Sequence, residues 1–444
     1  MNVLLLSIDC LRFDHVNPGL TPNISDFSDR SRVYDNCLSN GTFTRDALQN
    51  MIAGSFPSHH GGSGIAESQT PVSELLQPTH RTGLFHSNPN LQAGNGYYRG
   101  FDSVFDFDTL DDFNDRWDDK NPVRTNLLEI ASALNIGPGS RLWDVGKGLT
   151  HSVLGSQNTI NYQPYATAEE TVSRFQEWRP DEQYFAWLHF MDPHLPYTPR
   201  EEYVRDRVSE QAIESAANRN LKEITVDGEV PYDFTDEEIT AFQELYRAEV
   251  AYLDDVLGDL FESLSDDTVV VFTADHGEYL FDNAYKFGHF AGIYDEIVRV
   301  PLIVSHPDMD AGTDSGLTTV NDIPSTIADV AGVAPPDSYR GRSLLTDPDR
   351  EIAVGERTGG RENEPYLVYA QHGGDRVGYY PDDDRWVELD RSTGDVDDIS
   401  REAVDGSVVE RIELHLSETD LGRNEQFTPD EEVQDRLEQL GYKQ

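Results

Sequence analysis

The sequence contains little cysteine and little positive charge. Its only cysteines among 444 residues are Cys10 and Cys37, which excludes a framework of several disulfides, and no CxxC pair indicates a structural zinc site. Lysine and arginine number 34 against 82 aspartates and glutamates, so the formal net charge is −48. Nucleic acids and anionic membranes bind proteins through clustered basic residues. We therefore expect no nucleic-acid partner.

Long hydrophobic runs are also absent. The chain opens with MNVLLLSID, which is too short for a membrane span and lacks the basic start of a signal peptide. We therefore expect no transmembrane segment and a cytoplasmic location. The acidic residues are spread along the chain, and 37% of residues are hydrophobic, which favours a folded protein over a disordered one. We interpret the acidic surface as an adaptation to the high salt of a halophile, with a calcium-collecting surface as the alternative.

Short apolar runs alternate with amphipathic stretches along the first three quarters of the chain. The clearest strands are predicted at 3–8, 184–190, 268–273 and 300–304, and the clearest helices at 166–178 and 238–264. This alternation is typical of an α/β fold with a mainly parallel central sheet and helices on both faces.

Beyond about residue 345 the pattern changes. Aromatic-rich strands separated by turn signals predict a small antiparallel sheet, and TPDEEVQDRLEQLGY predicts a terminal helix. We therefore predict a main domain over residues 1–345, in which 107–165 form a lid or an insertion, and a C-terminal subdomain over 346–444.

Residues that can bind metal follow three of the predicted strands. Asp9 ends the first strand, Asp192 and His194 follow the second, and Asp275 and His276 end the third. Ligand sites in open α/β sheets lie beyond the carboxyl ends of the strands, and a turn containing glycine can aim neighbouring side chains at one point. Carboxylate and imidazole together predict a divalent metal site. The alternative is that these aspartates only begin turns.

A fourth element is the helix predicted within TRDALQNMIAGSFPSHHG, residues 44–61. Thr44 is interpreted as its N-cap and Gly54 as its end. Thr44 then lies at a helix N-terminus, where free backbone N–H groups attract an anion such as phosphate or sulfate. The alternative is that Thr44 is only a cap. Arg45 either binds the same anion or pairs with a surface carboxylate.

These motifs, in this order, resemble the sulfatases, a family within the alkaline phosphatase superfamily. The resemblance covers roughly residues 2–345 and rests on segments such as NVLLLSIDCLRFDH, HFMDPHLPYTP, VVVFTADHGEYL and YDEIVRVPLIVS. It implies an alkaline phosphatase-like fold whose catalytic domain cleaves a sulfate or phosphate ester. It also implies a divalent cofactor (Ca, Mn, Zn or Mg), as one or two ions. The substrate would be a small anionic ester, or a sulfated or phosphorylated glycan or lipid head group.

The roles of the family's residues carry over to the matching positions of this sequence. By the resemblance, Asp9, Asp275 and His276 are the metal ligands. His194 and His289 would contact the substrate or assist the leaving group.

The sequence departs from the sulfatase pattern at the nucleophile. The Cys/Ser-x-Pro-x-Arg motif that yields formylglycine is missing, and Thr44 stands where it should start. Cys10 replaces the second aspartate of the usual Asp-Asp pair, and HSNPNL at 86–91 replaces the Gly-Lys-Trp-His segment. Threonine at this position is similar to the nucleotide pyrophosphatases and phosphodiesterases and to the lipoteichoic acid synthases, in which a metal-activated threonine attacks phosphorus.

Three functions remain as predictions. The first is a metal-dependent hydrolase that cleaves a sulfate or phosphate ester through Thr44, with Arg45 and Asp192 as substrate or second-metal contacts. The second is a phosphodiesterase or phospho-group transferase of the same superfamily. The third is a non-catalytic descendant that binds a glycan or an anion. The clustered carboxylates disfavour the third function, because without a cation they would raise one another's pKa.

Overall fold

The computed structural model describes most of the chain. The described residues are 1–62, 64–106, 165–204, 208–209, 234–282, 287–289, 292–346, 350–358, 365–391 and 393–420. The lid or insertion predicted at 107–165, except its last residue, and the terminal helix predicted at 428–442 lie outside them.

Among the described residues, strands and helices alternate up to residue 330, and strands dominate afterwards. The strands are β1 (Asn2–Ile8), β2 (Arg32–Tyr34), β3 (Cys37–Leu38), β4 (Arg81–His86), β5 (Ser103–Asp106), β6 (Tyr184–Phe190), β7 (Thr268–Ala274), β8 (Tyr279–Leu280), β9 (Phe287–Gly288), β10 (Arg299–Val300), β11 (Leu302–Ser305), β12 (Gly312–Asp314), β13 (Thr318–Thr319), β14 (Ile352–Arg357), β15 (Leu367–His372), β16 (Asp375–Tyr380), β17 (Arg385–Asp390) and β18 (Asp395–Ile399). The α-helices are α1 (Pro22–Asp29), α2 (Thr44–Ala53), α3 (Val72–Leu76), α4 (Ala168–Trp178), α5 (Glu201–Val204), α6 (Asp236–Ser263), α7 (Asp295–Val298), α8 (Asp322–Val330) and α9 (Gly406–Glu418).

A central sheet has the strand order β12-β2-β11-β7-β1-β6-β4-β5. Its neighbouring strands are parallel except at β11, which is antiparallel to both β2 and β7. The strands β1, β6 and β7 are almost entirely buried apolar runs, as expected for a sheet covered on both faces. Helices α1, α4 and α5 pack against α6, while α2, α3 and α8 form a second group. The predicted α/β class with a mainly parallel sheet is confirmed.

The C-terminal part contains an antiparallel sheet in the order β14-β15-β16-β17-β18. Helix α9 packs on β14 and β15, with Val354, Val368, Val409 and Ile412 among the buried side chains between them. The predicted small antiparallel sheet is confirmed, while the domain boundary at residue 345 stays a prediction. Among the described residues, no helix combines the length and the apolar character that a membrane span requires.

Two local predictions are wrong. The strand predicted at 300–304 is split at Pro301, which has no N–H to donate to a ladder, so β10 pairs with β3 whereas β11 joins the central sheet. Thr44 is not the N-cap of α2, because Phe43 holds that position and Thr44 is the first helical residue. Gly54 does end α2, with a φ of 60° in the left-handed region.

Candidate active site

The carboxyl ends of two adjacent parallel strands, β1 and β7, bring the predicted metal ligands together. Asp9 follows β1, and Asp275 and His276 follow β7; all three are fully buried. His276 Nε2 lies 3.8 Å from Asp9 Oδ1 and 3.6 Å from Asp275 Oδ2. One ligand atom from each of the three residues lies within 4.8 Å of the others. The strand order thus assembles a site from residues far apart in the chain.

A close approach of the backbone at Gly277 aims both Asp275 and His276 at this point. The Gly277 N–H donates to the Ile297 carbonyl at 2.8 Å. A Cβ on Gly277 would lie 1.9 Å from the Glu296 carbonyl oxygen, so only glycine permits this turn.

The carboxylate of Asp275 is only half satisfied by the protein. Its Oδ1 accepts hydrogen bonds from the backbone N–H groups of His276, at 2.7 Å, and Cys10, at 3.2 Å. Its Oδ2 is buried and has no hydrogen-bond partner. A buried carboxylate oxygen without a partner is costly, and a cation beside it would remove that cost.

Thr44 lies across from this cluster at the start of α2. Its Oγ1 is 3.0 Å from His276 Nε2. Because His276 Nδ1 donates to the Gly277 carbonyl at 2.8 Å, Nε2 carries the ring's lone pair and faces the Thr44 hydroxyl. The Thr44 hydroxyl is therefore engaged by His276 instead of capping its own helix.

Burial and mutual repulsion set the charges of the two carboxylates. Burial raises the pKa of Asp275 well above its usual range, and the negative charge of Asp9 raises it further. Burial also acts to raise the pKa of Asp9, but His194, His189 and His276 hold it below its ordinary value. Two buried carboxylates beside an imidazole lone pair fit a divalent metal ion of hard-to-borderline character.

A polar contact that sequence reasoning missed orients Asp9. The Asn88 side chain donates to Asp9 Oδ2 at 2.8 Å, and its Nδ2 lies 3.0 Å from His189 Nε2. His189 Nδ1 is in turn hydrogen-bonded to Ser7 Oγ at 2.8 Å. The only sequence signal for Asn88 is its place in the segment at 86–91 that departs from the sulfatase pattern.

The two predicted catalytic histidines lie next to the cluster of Asp9, Asp275 and His276. The His194 and His289 rings are 5.3 Å apart. Cys10 Sγ donates to Asp9 Oδ1 at 3.2 Å and lies 3.6 Å from His289 Nδ1. His289 Nδ1 also lies 3.2 Å from an oxygen of Glu278, and burial raises the pKa of Glu278 to about 7.

Asp192 is the predicted site residue that the structure does not bring to the cluster. It belongs to none of the three metal-capable groups found in the described part of the chain. Burial raises the pKa of Asp192 to about 7. Burial raises the pKa of Glu249 well above its usual range, and the charge of Asp192 raises it further.

Two arginines flank the residue that precedes Thr44. The Arg45 guanidinium lies over the Phe43 ring, 5.1 Å from its centroid, and its Nε has no hydrogen-bond partner. Arg357, at the end of β14, lies over the same ring at 5.3 Å. The sequence predicted Arg45 but not Arg357. Arg357 reaches Phe43 from the C-terminal sheet, and no motif near residue 357 indicates that contact.

Comparison with known proteins identifies the family. The family model described as Sulfatase matches residues 1–333, more than half of the chain. Choline-sulfatase of Rhizobium meliloti (strain 1021) is 23% identical over 367 residues, which are 75% of this chain and 68% of that protein. Arylsulfatase K of Mus musculus is 33% identical over 121 residues, but these are 26% of this chain and 21% of that protein.

Solved structures share the fold at low sequence identity. Phosphonate monoester hydrolase of Agrobacterium radiobacter matches with a TM-score of 0.66 and 18% identity, over 94% of this chain and 95% of that chain. A protein solved with its substrate D-glucosamine-2-N,6-O-disulfate matches with a TM-score of 0.59 and 17% identity, over 88% and 91% of the two chains. The family match shows that this protein belongs to the sulfatase family and is a hydrolase of sulfuric or phosphoric esters.

Proposed function

We propose that the protein cleaves a sulfate or phosphate ester with Thr44 as nucleophile and with a divalent metal ion held by Asp9, Asp275 and His276. The observation that carries this proposal is the 3.0 Å contact between Thr44 Oγ1 and His276 Nε2 within the buried cluster. A threonine hydroxyl is a weak nucleophile near neutral pH and needs a group beside it that favours loss of its proton.

A divalent ion in this cluster would lower the pKa of the Thr44 hydroxyl and offset the charge that develops on the ester. The chain's own residues supply the remaining functions. Backbone N–H groups at the start of α2 and the Arg45 guanidinium bind the ester's anionic oxygens. His194 or His289 gives a proton to the leaving oxygen, and water then cleaves the threonine ester.

The names of the relatives support an ester of an oxyanion as the substrate, but the central atom of that oxyanion is sulfur in one relative and phosphorus in another. Choline-sulfatase is named for a sulfate ester, whereas phosphonate monoester hydrolase acts on a phosphorus compound. We infer that the substrate is a small anionic ester or a sulfated or phosphorylated glycan or lipid head group. The second candidate function is that of a phosphodiesterase or a phospho-group transferase. Thr44 in place of the formylglycine motif favours it, because this replacement favours a phosphorus ester as the substrate. Cytoplasmic location and adaptation to high salt stay predictions.

The test compares aryl sulfate, aryl phosphate and bis-aryl phosphate with each of Mg²⁺, Ca²⁺, Mn²⁺ and Zn²⁺. Thr44→Ala should lower kcat by roughly 10⁴–10⁶-fold, as expected for the loss of a nucleophile. Thr42→Ala is the matched control, because Thr42 is equally buried two residues earlier and should keep its activity. Mass spectrometry of a quenched reaction should locate the sulfate or phosphate on Thr44.

Two results would contradict the proposal. Turnover that survives Thr44→Ala would remove Thr44 from the mechanism. If no ester is cleaved with any metal, the non-catalytic descendant that binds a glycan or an anion becomes the better explanation.

A further inference from the structure

We propose that Ser39 is a positioning residue of the active site, and that its hydroxyl holds the segment leading to Thr44 against the peptide that joins Asp275 and His276. The inference rests on the proposed function and deepens it, because it assigns to Ser39 the relative position of the nucleophile and the metal ligands. Ser39 is fully buried and precedes Thr44 on the segment between β3 and α2.

The Ser39 hydroxyl contacts the main chain on the metal-ligand side of the site. Its Oγ donates a hydrogen bond to the Asp275 carbonyl. That carbonyl lies just beyond β7, which ends at Ala274, and a buried carbonyl beyond a strand needs a donor from elsewhere. A peptide unit is planar and includes the Cα atoms of both its residues. The hydrogen bond from Ser39 therefore fixes the points from which the Asp275 and His276 side chains start.

The same hydroxyl contacts the segment that leads to Thr44. Its Oγ lies 2.8 Å from the Gly41 carbonyl oxygen and accepts the Gly41 N–H at 3.3 Å. Gly41 lies directly against the first turn of α2, since a Cβ there would be 2.5 Å from the Ala47 nitrogen. One hydroxyl thus joins the two parts of the site that the 3.0 Å contact between Thr44 Oγ1 and His276 Nε2 spans.

Hydrogen bonds on both sides of its backbone hold Ser39 in place. The hydroxyl of Tyr369, a fully buried residue on β15, donates to the Ser39 carbonyl at 2.7 Å. The Ser39 N–H donates to the Val298 carbonyl at 2.7 Å. Gly41 forms a β-bridge with Glu356 on β14. The C-terminal sheet therefore acts on the metal ligands through Ser39.

The expected effect follows from this geometry. Loss of a residue that orients a metal ligand lowers metal affinity by roughly 10–100-fold, and a misplacement of about 1 Å can lower a rate by roughly 100-fold. Ser39→Ala should therefore weaken metal binding by roughly 10–100-fold. With metal in excess, kcat should still fall by roughly 10–100-fold. KM should change little, because Ser39 binds main-chain groups and not the substrate.

The experiment compares wild type, Ser39→Ala and Ser73→Ala. Calorimetry of metal-stripped protein with Mg²⁺, Ca²⁺, Mn²⁺ and Zn²⁺, well below the thermal midpoint of each variant, gives the metal affinity. Steady-state kinetics with metal in excess give kcat and KM. Ser73→Ala is the matched control, because Ser73 is also fully buried and donates to a main-chain carbonyl, that of Arg99, at 2.6 Å. It should lose stability but keep the metal affinity and kcat of wild type.

Tyr369→Phe is a second variant for the case that Ser39→Ala does not fold. It keeps the buried ring and removes the hydroxyl that holds the Ser39 carbonyl. Metal affinity and kcat should therefore fall as in Ser39→Ala, but by a smaller factor. Tyr34→Phe is its control, because the buried Tyr34 hydroxyl also donates to a main-chain carbonyl, that of Leu344, at 2.9 Å.

The outcomes separate this inference from the proposed function. A wild-type metal affinity or a wild-type kcat in Ser39→Ala, or in Tyr369→Phe in its place, would overturn the positioning role and leave the function standing. Equal losses of metal affinity in Ser39→Ala and Ser73→Ala would reveal a general loss of stability and overturn the positioning role as well. A wild-type protein that binds none of the four ions, or cleaves none of the esters, would overturn the proposed function and this inference with it.

Discussion

The position of Arg45 is suited to binding a substrate anion, in a chain that has many more acidic than basic residues. Other arginines form ion pairs with carboxylates. Arg12 pairs with Asp14 at 2.7 Å, and Arg99 pairs with Glu74 at 2.9 Å. Among the described residues Arg45 makes no such pair, and its guanidinium lies over Phe43, next to Thr44. An ester anion at the start of α2 would therefore find a cation in place.

We expect Arg45→Ala to lower kcat/KM for the cleaved ester by about 10–150-fold, mainly through a higher KM, because a hydrogen bond to a charged group contributes about 1.5–3 kcal/mol. Steady-state kinetics would measure this. Arg30→Ala is the matched control, since Arg30 lies over Phe27 at 5.7 Å but at the end of α1. Equal kinetics for the two variants would remove Arg45 from the substrate site.

The residues of the candidate site fall into two groups, those whose positions the sequence predicts and those whose positions depend on tertiary packing. Asp9, Asp275 and His276 were predictable, because parallel strands place their carboxyl ends at one edge of the sheet and each of these residues follows a clear strand. Asn88 and Arg357 were not, because they reach the site through tertiary packing, which periodicity does not report. Asp192 has the same strand-end signal as Asp9, yet it belongs to none of the metal-capable groups in the described part of the chain.

Helix α2 carries Thr44, and its two ends are fixed by different contacts. In its first turn, Asp46 accepts hydrogen bonds from the Thr358 N–H at 3.0 Å and the Thr358 hydroxyl at 2.8 Å. At its other end, Gly54 has a φ of 60°, and a Cβ there would lie 2.8 Å from the Tyr339 ring. The end of α2 thus depends on both backbone conformation and packing.

Gly54→Ala should destabilise the protein more than Gly332→Ala. Both glycines have a positive φ, 60° and 68°, which costs roughly 1–2 kcal/mol for a residue with a Cβ. Only at Gly54 would that Cβ also meet a ring, since nothing lies within 4 Å at Gly332. Denaturant unfolding would measure the difference. If the two variants had the same free energy of unfolding, the Tyr339 ring would be able to move away from the new Cβ without a loss of stability.

Helices and strands were predicted correctly where the local sequence pattern determines them. They were predicted poorly where contacts with residues distant in the chain determine them. Strands β6 and β7 begin at the predicted residues because their apolar runs are buried on both faces. Pro301 splits the predicted strand at 300–304, and its two halves then join different sheets. Thr44 has good N-cap chemistry, but its hydroxyl goes to His276, a contact that no local pattern contains.

At the scale of the molecule, the C-terminal sheet is tied to the region around α2. Glu356 on β14 donates its N–H to the Asn40 carbonyl at 2.9 Å and accepts from the Ser58 N–H at 2.9 Å. His415 on α9 lies 2.8 Å from the other carboxylate oxygen of Glu356. The next residue, Arg357, lies over Phe43. We therefore infer that residues on both sides of the predicted boundary at 345 complete the site.

The charge of the whole chain makes its stability depend on salt. A net charge of −48 repels itself in the compact state. The screening length falls from about 10 Å at 0.1 M salt to about 3 Å at 1 M, so the repulsion should weaken over that interval. We expect the thermal midpoint to rise between 0.1 and 2 M KCl, and a relief of about 2 kcal/mol would raise it by roughly 2 °C, because the entropy of unfolding grows with chain length.

The shape of that rise identifies its cause. Screening acts most strongly at low salt, so most of the increase should come below about 1 M, whereas exclusion of a solute from the surface grows steadily with concentration. Scanning calorimetry across a KCl series would follow the midpoint, with sucrose at 0.1 M KCl as the control that screens no charge. A midpoint that stays flat or falls with KCl would contradict the interpretation of the acidic surface as an adaptation to high salt. A steep early rise would support it and would set the salt concentration for every assay above.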